Sequence, residues 1–238
     1  MSLFKQIDPV RAYQVVSAQL EEIIVSGKLS PGDRLPPERQ LIQELGTSRR
    51  TLREAFRVLE QKGLIEIKIG AKGGAFVTDR IGERMSEFFA ILIRRQNVTQ
   101  TELAEFRANT EGAVAGLAAQ RADPSDVQHI TTHLAEMETL LRHDTIDIDD
   151  FVGKEINLHH LLAKACKNAV YENIVKTIHA ILLYPMFRQD AIDHAYIQRA
   201  VDDWKKLLHA IENQDARASR RIMQQHIHVF DEMAVNNK

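Results

Sequence analysis

The sequence predicts a mostly α-helical protein: an N-terminal winged helix-turn-helix of three helices plus a small β-hairpin, followed by an all-α bundle of six or seven helices. Three observations carry that prediction. Two short helical segments meet at a glycine-containing turn at Gly46, the layout of a helix-turn-helix. The stretch LIEIKIG then alternates apolar and polar residues, GAKGG supplies a flexible tip, and AFVT can return as a second strand. Beyond about Ile81 the chain reads as helices broken by short polar or proline-containing joints, with no strand pattern and no internal repeat.

The elements follow in order. A first helix is expected from Val10 to Ser26, where Val15, Ala18, Ile23 and neighbouring apolar positions suit one face, and Gly27 stops it. In LSPGDRLPPERQLIQELG, Pro-Gly makes a turn. Pro37 fits the first turn of a helix from Glu38 to Leu45, because the N–H it lacks would be unpaired there anyway. Gly46 breaks that helix, and Thr47 or Ser48 caps a third one running to about Gln61 before Lys62-Gly63 ends it. Leu52, Ala55, Phe56 and Leu59 share one face of this helix and pack it on the domain. In the second region helices are expected near 82–95, 99–121, 124–142, 149–167, 170–187, 190–212 and 215–234.

The net charge of -2 over 238 residues conceals an asymmetry. Residues 1–78 hold 12 Lys+Arg against 9 Asp+Glu, and residues 79–238 hold 19 against 24. All ten histidines lie from His129 onward. Two domains of different chemistry are expected, 1–78 and 79–238. The N-terminus lacks a signal-peptide pattern and no run approaches the roughly eighteen apolar residues of a membrane span, so the chain reads as cytoplasmic with no membrane partner. The single cysteine, Cys166, excludes an intrachain disulfide and a Cys-rich zinc module, and reads as a buried thiol.

Four arginines, Arg49, Arg50, Arg53 and Arg57, crowd the third helix away from its apolar stripe. A solvated helix face usually mixes signs, but here the first acidic residue is Glu54. Backbone N–H groups at the helix N-terminus and the hydroxyls of Thr47, Ser48 and Thr51 add phosphate donors to the guanidinium groups. An arginine can also read guanine bidentately in the major groove. The pattern predicts a DNA-binding face, with Arg57, a turn further on, left to a phosphate or to water.

Three bundle helices carry polar residues where periodicity asks for apolar ones. Glu155 and His159 fall within the stripe of Phe151, Leu158, Leu162 and Cys166. His226 shares a face with Ala218, Ile222, Val229 and Met233, and Arg107 sits among Leu103, Thr110, Val114 and Leu117. Buried charge is costly unless it is paired or bound to a metal, so these positions should converge. His129, His133, His160 and His228 read as surface or supporting positions.

The stretch PGDRLPPERQLIQELGTSRRTLREAFRVLEQKGLIEIKIGAKGGAFV resembles the N-terminal winged helix of the GntR family of transcription regulators, over about Ala12 to Thr78. That resemblance implies DNA contacts from Arg39, Ser48, Arg49, Arg50, Thr51 and Arg53, and a wing at Ile69, Gly70, Lys72 and Gly73 approaching the minor groove. AKGGAF departs from the wing sequence usual in the family. FRANTEGAVAGLAAQRA, EINLHHLLAKACKN and AIENQDARASRRIMQQH resemble the FCD ligand-binding domain of the FadR subgroup. Many such domains bind a divalent metal (zinc, nickel or manganese) that a carboxylate effector completes. The resemblance implies Glu155, His159 and His226 as ligands, with Trp204 standing where a further histidine would be.

Indole nitrogen is not a metal ligand, so at most three protein ligands remain unless Asp203 or His209 swings in. Two readings of the pocket stay open. In one, a three-ligand metal is completed by a small carboxylate paired with Arg107. In the other, the site is metal-free and Trp204 walls a larger effector such as an acyl-CoA. A bundle serving only dimerisation is a third option. A di-iron oxidase needs paired Glu-x-x-His motifs, which the chain lacks, so no enzyme is expected. The expected function is a ligand-responsive repressor or activator that binds an inverted-repeat double-stranded DNA operator as a homodimer.

Overall fold

The structure, a computed structural model, describes residues 9–70, 72–142, 147–186 and 192–235. The chain divides into two compact units, 1–85 and 86–238.

In the first unit, α1 (Pro9–Val25), α2 (Glu38–Glu44) and α3 (Arg49–Gln61) precede an antiparallel hairpin of β1 (Ile65–Lys68) and β2 (Gly74–Val77), with Ile65 opposite Val77 and Lys68 opposite Gly74. Leu52, Ala55, Phe56 and Leu59 are all buried, and with Leu20, Leu35, Leu41, Leu64 and Val77 they form one core. The face expected for α1 is out of phase. Val15 and Ala18 point to solvent, and Val16, Ser17 and Leu20 are buried instead, with Ile24 packed alongside. Valines at both 15 and 16 offer two adjacent stripes, and the fold selects the one that meets α3.

The second unit is helical throughout the described residues. α4 (Ile81–Gln96) spans the division between the units. It is followed by α5 (Gln100–Arg121), α6 (Pro124–Thr139), a short 3-10 turn (Leu140–Arg142), α7 (Ile148–Ala165), α8 (Ala169–Met186), α9 (His194–Glu212) and α10 (Ala216–Val235). The expected start of the ninth helix at 190 and Ala71 of the wing lie outside the described residues. Capping boxes at Thr99–Glu102 and Asp123–Asp126 fix the starts of α5 and α6, satisfying N–H groups that the helix itself leaves unpaired.

Glycines let α5 and α10 approach closely. A Cβ on Gly112 would lie 2.8 Å from the Gln224 side chain, and one on Gly116 would lie 3.2 Å from the Ala216 carbonyl. The buried face of α10 is Ser219, Met223, His226 and Ile227. Ala218, Ile222 and Val229 are only half-buried, and the side chain of Met233 lies outside the described residues. His226 is thus part of the core face, turned slightly from the expected stripe. Cys166 is buried and its thiol pKa is raised by burial, against the character of a nucleophile.

Candidate DNA-binding face and buried polar site

Local chemistry sets the start of α3. Ser48 is its N-cap: the backbone N–H of Thr51 donates to the Ser48 hydroxyl at 3.1 Å, and the two hydroxyls lie 2.8 Å apart. With the core stripe turned inward, Arg49, Arg50 and Arg53 project to solvent from the first turns, and Arg39 is exposed on α2. Glu38 lies 3.8 Å from Arg49 and 3.5 Å from Arg53, in exposed pairs of the kind that contribute little to stability. Arg57 is engaged at 2.6 Å by Glu54. Thr47 is half-buried, and Ile69, Gly70 and Lys72 are exposed in the wing, Ile69 completely.

Gly73 holds the wing turn. Its N–H donates to the Gly70 carbonyl at 2.9 Å, and an added Cβ would collide with the Lys68 carbonyl. Arg34, unmarked by any sequence pattern, donates to the Gly73 carbonyl and lies over the Phe76 ring, which Lys68 also approaches at 4.8 Å. Residues 32–35 run beside β2, with the Leu35 N–H donating to Ala75 and the Val77 N–H to Asp33. The wing is therefore stapled at its base by a residue distant in sequence.

In the second unit, α5, α7, α8, α9 and α10 bring Arg107, Glu111, Glu155, His159, His179, Trp204 and His226 into one buried network. Arg107 Nε donates to Glu111 Oε1 at 2.8 Å, and His179 Nε2 lies 3.2 Å from the same oxygen. His159 Nδ1 meets Glu111 Oε2 at 2.5 Å. His159 Nε2 faces Glu155 Oε1, 3.6 Å away, so the ring lies between the two carboxylates. Glu155 receives the indole N–H of Trp204 at 3.0 and 3.1 Å from its two oxygens, and His226 Nε2 at 2.7 Å. Asp203 leans toward His226 Nδ1 at 3.8 Å, whereas His209 is exposed and turns to Asn213.

The electrostatics follow from these contacts. Burial works to raise the carboxyl of Glu111, but Arg107, His179 and His159 hold it well below the ordinary range. Glu155 is lowered in the same way, against its burial, chiefly by His226 and His159. Burial would depress His226, yet the carboxylates of Glu155 and Asp203 outweigh it and lift the imidazole to about 9. His179 and His160 are pushed down to about 4, mainly by burial. The two buried carboxylates are thus balanced by Arg107 and a protonated His226.

Sequence reasoning found Arg107, Glu155, His159, His226 and Trp204 but missed Glu111 and His179. Glu111 lies one helical turn after Arg107, and that spacing alone could have marked it. His179 has no such signal. Its ring packs edge-on to His159 at 4.9 Å and stacks on His160 at 5.3 Å.

Among the described residues, two buried groups have ligand atoms close enough together to hold a metal ion: Glu155, His159 and His226, and Glu111, His159 and His179, each within 4.8 Å. The second has Arg107 already seated on its carboxylate. In the first, the His159 ring is placed as a metal ligand's would be, with Nδ1 on the Glu111 carboxylate and Nε2 facing Glu155. The rest of the site is filled by proton donors. Trp204 presents a proton and no lone pair, and His226 Nε2, 2.7 Å from an acceptor-only carboxylate, would have to give up a proton before it could ligate. Nor is Trp204 an open apolar wall: it is 1% exposed and spends its polar atom on Glu155.

The pattern of bacterial regulatory proteins of the gntR family matches residues 12–77, and that of the FCD domain matches residues 102–229. The chain is 31% identical over 202 residues to the galactonate operon transcriptional repressor of Escherichia coli strain K12, covering 83% of this chain and 86% of that protein. It is 27% identical over 221 residues to the Uxu operon transcriptional regulator of the same organism, covering 91% and 84%. The fold is that of a solved Streptococcus agalactiae GntR structure, with a TM-score of 0.78 at 20% identity over 92% of this chain and 99% of that one. A DNA-binding winged helix joined to an FCD effector-binding domain makes this chain a member of the GntR family of transcription regulators.

Proposed function

We propose that the chain is a repressor that binds an inverted-repeat operator as a homodimer and releases it in response to a small carboxylate held at Arg107. Because an FCD domain follows the winged helix, we read it as a member of the FadR subgroup. The DNA reading rests on one observation above all: Arg49, Arg50 and Arg53 stand exposed at the capped N-terminus of α3, opposite its buried stripe. Arg39, Thr47, Ser48 and Thr51 would add phosphate contacts around them. The wing residues Ile69, Gly70, Lys72 and Gly73 would approach the neighbouring minor groove. An exposed apolar stripe on α4, with Phe88 68% and Ile91 54% accessible, supports pairing with a second copy.

Arg107 supports the effector assignment. It is buried, Glu111 is its one acidic partner among the described residues, and its Nε is spent on that partner. The outer guanidinium nitrogens suit a planar carboxylate. A relative named for a galactonate operon supports a hydroxylated acid of that kind. The effector would act through residues 79–85, and only to the extent that it binds one arrangement of the winged helices better than another.

The test begins with duplexes selected from a random pool for binding to the wild-type protein. Arg49→Ala and Arg53→Ala should each weaken binding about ten-fold or more while the circular dichroism spectrum is unchanged. Arg107→Lys, which keeps the charge beside Glu111 but loses the planar fork, should keep operator affinity and weaken the release caused by galactonate. Wild-type affinity in both arginine variants sinks the placement of the DNA-reading face.

A further inference from the structure

We propose that the indole N–H of Trp204 takes the place of a metal ion on Glu155, so that the buried site of the second unit recognises its acidic effector without a divalent cation. This deepens the reading of Arg107 as the effector's partner and rests on it for the effector alone.

The argument starts from what Glu155 needs. A buried carboxylate must be neutralised and its oxygens occupied, by a metal or by hydrogen-bond donors. Here donors from two other helices do this: Trp204 of α9 straddles both oxygens at 3.0 and 3.1 Å, and His226 of α10 adds a contact at 2.7 Å to Oε1. A metal bridging both oxygens of Glu155 would have to enter where the indole proton lies.

Trp204 cannot readily move aside. It is among the largest fully buried side chains, belongs to the main core cluster, and packs edge-on against His159 at 5.1 Å and beside His226 at 5.9 Å. Turning it out would empty a volume that a close-packed interior does not leave vacant. A lysine or a water in the same place could yield; a wedged indole does not. His159, meanwhile, keeps an Nε2 facing Glu155, so an imidazole at position 204 is what the set lacks.

The experiment uses the full chain. Wild-type protein expressed with added zinc, nickel and manganese and then dialysed should hold less than about a tenth of an ion per chain by elemental analysis. Its melting midpoint and the emission of its one tryptophan should not respond to one equivalent of each ion. Trp204→His should retain about one ion per chain and melt higher with it than without. One tightly held ion in the wild type overturns the proposal, as does a folded Trp204→His that holds no more metal than wild type. Should that variant not fold, the wild-type ion content and emission decide the matter alone. Galactonate titrated into chelator-treated wild type should raise its melting midpoint. Absence of that shift, with no metal bound, rejects the Arg107 assignment and leaves the Trp204 assignment standing.

Discussion

Trp204 joins packing and chemistry in one residue: its ring fills the core and its N–H meets Glu155. The position is buried and aromatic, so phenylalanine would fill most of its volume and leave a small cavity that adds to the loss. What phenylalanine lacks is the N–H that Glu155 accepts at 3.0 and 3.1 Å. A hydrogen bond to a charged group contributes about 1.5–3 kcal/mol, and losing the donor leaves a buried carboxylate short of a partner. Trp204→Phe is therefore expected to lower stability by about 2–3 kcal/mol in urea unfolding, with the slope of the transition unchanged. A loss below about 0.5 kcal/mol, the range of an ordinary surface substitution, contradicts the bond's importance. That Trp204 stood near Glu155 was partly legible, because the family resemblance sets it at the place of a further ligand. That it would donate to both oxygens was not, because distance and angle across two helices leave no mark in the sequence.

At the scale of elements, α3 divides its labour between capping, packing and binding. Ser48 accepts the Thr51 N–H and lies beside three exposed arginines, so one residue serves both helix and candidate interface. Ser48→Ala removes a cap, which costs about 1 kcal/mol of stability. Arg53→Ala removes only an exposed pair with Glu38, expected to cost well under about 1 kcal/mol. Thermal unfolding should separate the two variants, and equal midpoints would show that Ser48 does not cap the helix in solution. Such elements were legible wherever chemistry is local: Gly46 at the turn, Ser48 at the cap, Leu52 to Leu59 on one stripe. The face of α1 was not, because Val15 and Val16 fit rival stripes and only the presence of α3 decides between them. Nor was the Arg34 staple of the wing, nor His179. Each joins its partner across a long stretch of chain, and helical period says nothing about that.

For the molecule as a whole, every titration shift named above lies in the second unit, and so does the one tryptophan. Its emission therefore reports the unfolding of the unit whose stability should depend on pH. On the alkaline side the controlling group is His226, raised from 6.5 to about 9. Its contribution is complete below pH 6.5 and is lost as pH rises through 9, because the folded state holds a proton that the unfolded chain gives up. On the acid side, His160 and His179, lowered from 6.5 to about 4, contribute above pH 6.5 and lose that contribution as pH falls toward 4. Glu111 and Glu155, depressed below 4.5, add a further loss below that pH. The midpoint of tryptophan-monitored thermal unfolding should be highest near pH 6.5 and fall in both directions. The alkaline decline should vanish in His226→Gln, which keeps a side-chain donor but cannot titrate. A midpoint that stays level from pH 6.5 to 9.5 in the wild type would mean that Glu155 and His226 do not form a charged pair in the folded protein. A decline that persists in His226→Gln would assign it to another group.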